Sequence, residues 1–137
     1  MEQNTNEVGQ MSAWPQGISA ITLFVEDLPA TKAFYQAAFG LPLFFEDNDS
    51  AVFKLGATLI NLLKISAAKE LIEPAQVGSR EAGSRFVFTI GVDDVDAMCV
   101  ELKSRGVELL NGPMNRPWGI RTASFMDPAG YIWEIAK

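Results

Sequence analysis

An α+β fold built from two tandem βαβββ modules is what this sequence predicts, and three observations predict it. Phe24-Val25-Glu26-Asp27-Leu28 is echoed by Gly91-Val92-Asp93-Asp94-Val95, and Gly40-Leu41 by Gly106-Val107. Each pair of landmarks encloses a helical pattern of matching length and caps, flanked by short stretches of strand character. The 137 residues suit one domain with a core and are too few for two ordinary ones.

Along the chain, Met1 to Gly17 is polar and lacks a secretory signal, so residues 1–17 are expected to form a mobile leader, with Trp14 docking on the body or on a second subunit. Ile18 to Val25 suits a strand with Ile21, Leu23 and Val25 on one face and Ala20, Thr22 and Phe24 on the other. Asp27 is a good N-cap, Pro29 fits the first turn, Phe34, Tyr35 and Ala38 continue an apolar stripe, and Gly40 supplies the stop. Leu41 to Glu46, Ala51 to Leu55 and Thr58 to Ile65 read as three strands joined by tight turns, completing module one over residues 18–65. Residues 66–84 read as an irregular connection, with Leu71 and Ile72 placed to cover part of a pocket.

Module two, residues 85–137, repeats the plan. Arg85 to Val92 is strand-like, Asp94 caps a helix bearing Val95, Met98, Cys99 and Leu102, and Gly106 stops it. Strands follow at Val107 to Leu110, Arg121 to Met126 and Tyr131 to Ala136, separated by Asn111-Gly112-Pro113 and Asp127-Pro128-Ala129-Gly130.

Composition narrows the function. A net charge of -6 with scattered basic residues opposes binding to phosphate backbones. No apolar run approaches the roughly 20 residues of a membrane span. The lone Cys99 forms no internal disulfide, and with no histidine in the chain to activate it, it reads as a buried small side chain. A cytoplasmic protein is the expectation.

The duplication, with Val25-Glu26-Asp27 opening one half and Asp127-Pro128-Ala129-Gly130-Tyr131-Ile132-Trp133-Glu134 closing the other, resembles the vicinal oxygen chelate superfamily of glyoxalases, ring-cleaving dioxygenases and bleomycin-sequestering proteins. The resemblance implies an open, curled mixed sheet forming a cup with helices outside, and a homodimer. It also assigns metal-ligand positions to the first and fourth strands of each module, which here hold Ala20, Asn61, Val87 and Glu134. Alanine and valine cannot ligate, and a carboxyamide is a weak donor for zinc, iron or nickel. The expectation is no metal and no cofactor, with an acid-only magnesium or manganese site around Glu134 left open.

The cup lining implied by this register is apolar with a few polar groups, which suits a small organic ligand. The residues expected to contact it are Thr22, Phe24, Asn61, Leu63, Thr89, Trp118, Arg121 and Glu134. Trp118 stacks on a planar ligand or packs at a subunit interface, and Arg121 pairs with Glu134, meets an anionic substituent or is solvated. The functional expectation is metal-independent sequestration of a drug or metabolite. The alternatives are a glyoxalase-like lyase or isomerase with Glu134 as general acid or base, helped by Arg121 or Asn61, and a non-catalytic dimerisation module.

Overall fold

The computed structural model describes residues 17–137, so apart from Gly17 the expected leader, Trp14 included, lies outside the described residues. Module one runs β1 (Ala20–Val25), α1 (Leu28–Phe39), β2 (Leu43–Glu46), β3 (Ser50–Leu55) and β4 (Thr58–Lys64). A helix α2 (Ile65–Ile72) and a 3-10 turn at Arg80–Ala82 follow. Module two runs β5 (Phe88–Gly91), α3 (Val95–Ser104), β6 (Leu109–Asn115), β7 (Arg121–Met126) and β8 (Ile132–Ala136).

Each module folds into a four-stranded mixed sheet, ordered β1-β4-β3-β2 and β5-β8-β7-β6, with the first and last strands of the module parallel. Helices cover one face of each sheet and neither sheet closes into a barrel, which is the predicted architecture. The helix ends behave as their residues dictate. Asp27 accepts from the Ala30 N–H and Asp94 from the Ala97 N–H, both at 3.0 Å, while Gly40 ends α1 in the left-handed region at φ 61°.

One core joins the modules. Leu23, Val25, Phe53 and Leu62 of the first sheet and Phe125, Trp133 and Ile135 of the second belong to a single buried cluster. Helix α1 is the bridge, since Phe39 lies 5.0 Å from Trp133 and 5.7 Å from Phe125 between ring centroids. Beneath it, the Tyr35 hydroxyl donates to Asp127 Oδ2 at 2.6 Å and accepts from Trp133 Nε1 at 2.9 Å. The second Asp127 oxygen accepts from the Ala129 and Tyr131 N–H groups at 2.9 Å each, which fixes the turn before β8. Tyr35, expected to be explained by apolar packing, therefore also carries a buried polar network.

Three expectations need correction. The connection after β4 is not wholly irregular, because Ala67-Ala68-Lys69-Glu70-Leu71 has strong helix formers and folds as α2, leaving Leu71 60% exposed. β5 is shorter than predicted, and Phe86 and Val87 precede it as exposed residues. Asn111-Gly112-Pro113 is not a turn. It lies within β6 as an irregularity in the pairing with β7, where Gly112 at φ 87° lets the backbones approach so closely that a Cβ there would sit 2.5 Å from the Thr122 carbonyl oxygen.

Candidate functional site

Strand alternation sorts the predicted site residues by face. In β1 and β4 the odd and even positions that enter the core are Leu23, Val25, Ile60 and Leu62, so Thr22, Phe24, Asn61 and Leu63 stand on the opposite, open face. In β5 and β8 the core takes Phe88, Ile90, Trp133 and Ile135, which leaves Thr89 and Glu134 on the open face of the second sheet. Ala20 and Val87, at positions the resemblance assigned to ligands, are exposed.

The two sheets present matched polar pairs. Thr22 stands beside Asn61 in one register and Thr89 beside Glu134 in the other. Asn61 Nδ2 donates to Thr22 Oγ1 at 3.4 Å, a long contact, and Thr89 Oγ1 donates to Glu134 Oε1 at 2.9 Å. Asn61 Oδ1 is buried with no hydrogen-bond partner among the described residues. A buried acceptor left in this way costs about 1–3 kcal/mol, which marks it as a place where a donor is wanted.

Glu134 is thus half-buried with a hydroxyl partner, not a buried acid in need of an ion pair. The expected Arg121–Glu134 pair does not form. Arg121 shares its face of β7 with Ala123 and Phe125, the helix side, and its Nε and Nη2 clasp the two Asp96 oxygens at 2.8 Å each. That contact lowers the Asp96 pKa and raises that of Arg121, hydrogen bonding being the main cause in both. Arg121 is accordingly not with the other predicted contacts, and its suggested help to a general acid or base at Glu134 loses its geometry.

On the open face of the second sheet stands Arg116, one of two cations in the Asn115-to-Arg121 segment expected to form a rim loop, for which the sequence suggested no contact of its own. Its Nε donates to Thr122 Oγ1 at 2.8 Å and its Nη2 to Asn111 Oδ1 at 3.3 Å. Trp118, 68% exposed, lies beside it with the ring centroid 5.9 Å from the guanidinium carbon. Asn111 pairs with Ser124, Ser124 with Glu134 and Glu134 with Thr89, so one polar row crosses all four strands of the second sheet. The matching row of the first sheet is Thr22, Asn61, Val52 and Phe45, polar at one end and apolar at the other. The alternation Thr122-Ala123-Ser124-Phe125 was the signal that could have found this row, since polar and apolar residues take turns through it.

Where the modules meet, a cavity of about 230 Å³ is lined by Phe24, Glu26, Arg80, Phe86 and Tyr131 among others. Phe24 lines it; Thr22, Asn61, Leu63, Thr89, Trp118, Arg121 and Glu134 do not. At this junction the Tyr131 hydroxyl accepts from the Phe24 N–H at 3.0 Å and donates to the Phe24 carbonyl at 2.9 Å. Leu71 and Ile72 do not border the cavity.

The donor set does not fit a transition metal. Among the described residues no three His, Cys, Asp or Glu side chains come together, and that holds for an acid-only set around Glu134 as well. No described helix is long and apolar enough to cross a membrane.

Comparison with known proteins agrees with this architecture. The chain is 35% identical over 121 residues to the uncharacterized protein YraH of Bacillus subtilis (strain 168), covering 85% of this chain and 94% of the relative. It is 26% identical to the metallothiol transferase FosB of Lysinibacillus sphaericus (strain C3-41), over 88% of this chain and 81% of that protein. A glyoxalase/bleomycin resistance protein/dioxygenase from Nocardioides superposes with a TM-score of 0.81 at 22% identity, over 92% of this chain and 85% of that one, a likeness of fold alone. The family profile matches residues 17–135, and the chain belongs to the Glyoxalase/Bleomycin resistance protein/Dioxygenase superfamily.

Proposed function

We propose that the protein binds a small organic molecule on the open faces of its two sheets, without a metal, and acts by holding it. One observation carries the reading: both sheets set a polar pair at the same register, Thr22–Asn61 and Thr89–Glu134, where the family scaffold would otherwise hold a metal and where Ala20 and Val87 cannot. Phe24 and Leu63 give that face apolar area, and the unpartnered Asn61 Oδ1 supplies an acceptor for a ligand donor. A homodimer belongs to the same reading. Among the described residues β1 and β5 are edge strands of their sheets, Ile18, Phe86 and Val87 leave apolar surface beside them, and the polar pairs stand on separate sheets.

The name of the FosB relative speaks of a metal and of thiol transfer for that protein; the donor set here does not support carrying the metal across. Equilibrium binding against cationic, aromatic and glycopeptide compounds tests the proposal, with native mass spectrometry reporting subunit number and retained small molecules. Binding that weakens at least tenfold in Asn61→Ala or Glu134→Ala supports it, and silence across the panel sinks it.

A further inference from the structure

We propose that Arg116 builds an oxyanion subsite on the open face of the second sheet, so that the ligand is an aromatic monocarboxylate carrying a hydrogen-bond donor at its far end. This rests on the reading of the open faces as a ligand site and names the chemistry of the ligand.

Arg116 is half-buried and held by two neutral side chains, the fully buried Thr122 and the exposed Asn111. Among the described residues no carboxylate pairs with it, whereas Arg105 is paired with Glu101 and Arg121 with Asp96. A guanidinium has five N–H donors. Thr122 and Asn111 take two of them, which leaves both donors of Nη1 and one of Nη2, and one donor from each of these two nitrogens grips a carboxylate by two parallel hydrogen bonds. The Trp118 indole beside this fork offers a flat apolar surface to the ring bearing that carboxylate.

The same row limits the other end of the ligand. From β6, where Asn111 steadies the guanidinium, the row passes Ser124 on β7 and reaches Glu134 on β8. Asn111 and Glu134 are two strand spacings apart, about 10 Å, and the guanidinium, held by Thr122 of β7 as well as by Asn111, falls within that span, which is the order of a para-substituted benzene ring with a hydrogen bond at each side. Thr89 occupies Oε1 of Glu134, and Oε2 is without a partner among the described residues. A hydroxyl or amine donor satisfies that oxygen, while a second carboxylate is repelled by it. The apolar end of the opposite row, Val52 and Phe45, has no comparable demand.

Titration calorimetry with 4-aminobenzoate, 4-aminobenzamide and benzene-1,4-dicarboxylate is the test. The acid is expected to bind at least tenfold tighter than its amide. Arg116→Gln should lose that preference, Arg116→Lys should keep part of it, and Arg121→Gln, on the helix face, should leave it unchanged. Glu134→Gln should improve the dicarboxylate at least fivefold. Circular dichroism identifies any variant that fails to fold, in which case the wild-type preference for acid over amide decides. Equal binding of acid and amide, or an unaltered preference in a folded Arg116→Gln, overturns the oxyanion subsite. Should neutral or cationic aromatics bind while the acids do not, the subsite falls and the open-face reading stands; should nothing bind, both fall.

Discussion

Asp127 shows how one residue can serve the turn, the core and the junction of two modules together. One oxygen holds two backbone N–H groups of the turn and the other takes the Tyr35 hydroxyl, which in turn accepts from Trp133. Tyr35→Phe leaves Asp127 Oδ2 and the indole N–H without partners in a buried place, an expected loss of about 2 kcal/mol in denaturant-unfolding experiments. Burial pushes the Asp127 carboxyl above its ordinary 3.8, against the hydrogen bonds that favour the ionised form. A raised folded-state value means that the native protein holds this proton longer than the unfolded chain. The contribution is therefore fullest below 3.8 and is lost as pH rises through the folded value. Asp127→Asn keeps an acceptor for the turn and has no proton to lose. The stability advantage of wild type over Asp127→Asn should thus shrink from pH 4 to pH 7; an advantage that grows would show that the turn's hydrogen bonds outweigh burial. The sequence identified Asp127 as a turn former and could go no further, because its partner Tyr35 comes from α1 and the Trp133 that holds Tyr35 comes from β8.

Among the elements, those with local signals were legible and those set by long-range pairing were not. Asp27, Asp94 and Gly40 announced their helix ends, since a cap is chemistry between near neighbours. The path of β6 was misread because Asn111-Gly112-Pro113 has the composition of a turn, and only the approach of β7 shows why the glycine is there. Two glycine substitutions separate these causes. Gly40→Ala meets only the cost of a positive φ with open space around it, about 1 kcal/mol. Gly112→Ala meets that cost and also the Thr122 carbonyl and Ala123, so a loss of about 3 kcal/mol is expected by chemical denaturation. The candidate site divides in the same way. The shared face of Thr22, Asn61, Thr89 and Glu134 was implied by the resemblance to the superfamily, whereas the place of Arg121 depended on which parity of β7 enters the core. Arg121 has the parity of Ala123 and Phe125, and a helix carboxylate waits for it there.

As a whole molecule the chain is two modules by pedigree and one unit by packing. Its two sheets share no strand-to-strand hydrogen bonds, yet Phe34, Tyr35 and Phe39 of α1 pack on Phe125 and Trp133 of module two. Peptides 17–65 and 85–137 made separately would each expose that aromatic surface, so neither is expected to unfold cooperatively on its own, as judged by circular dichroism against temperature. A sharp transition in either half would show that the shared core is dispensable. The repeat was legible in the sequence because each copy kept its caps. The docking of one copy on the other was not, since bridging aromatics look like any apolar stripe. The Tyr131 hydroxyl adds a last consequence. Among the described residues strand β1 is paired on one side only, and strands left so invite other chains to add on and grow fibrils. By occupying both the N–H and the carbonyl of Phe24, Tyr131 takes away the docking points at one end of the other side. A foreign strand can therefore align with only part of β1, and a crowded solution of this protein is protected from open-ended chain growth along this edge by one phenol.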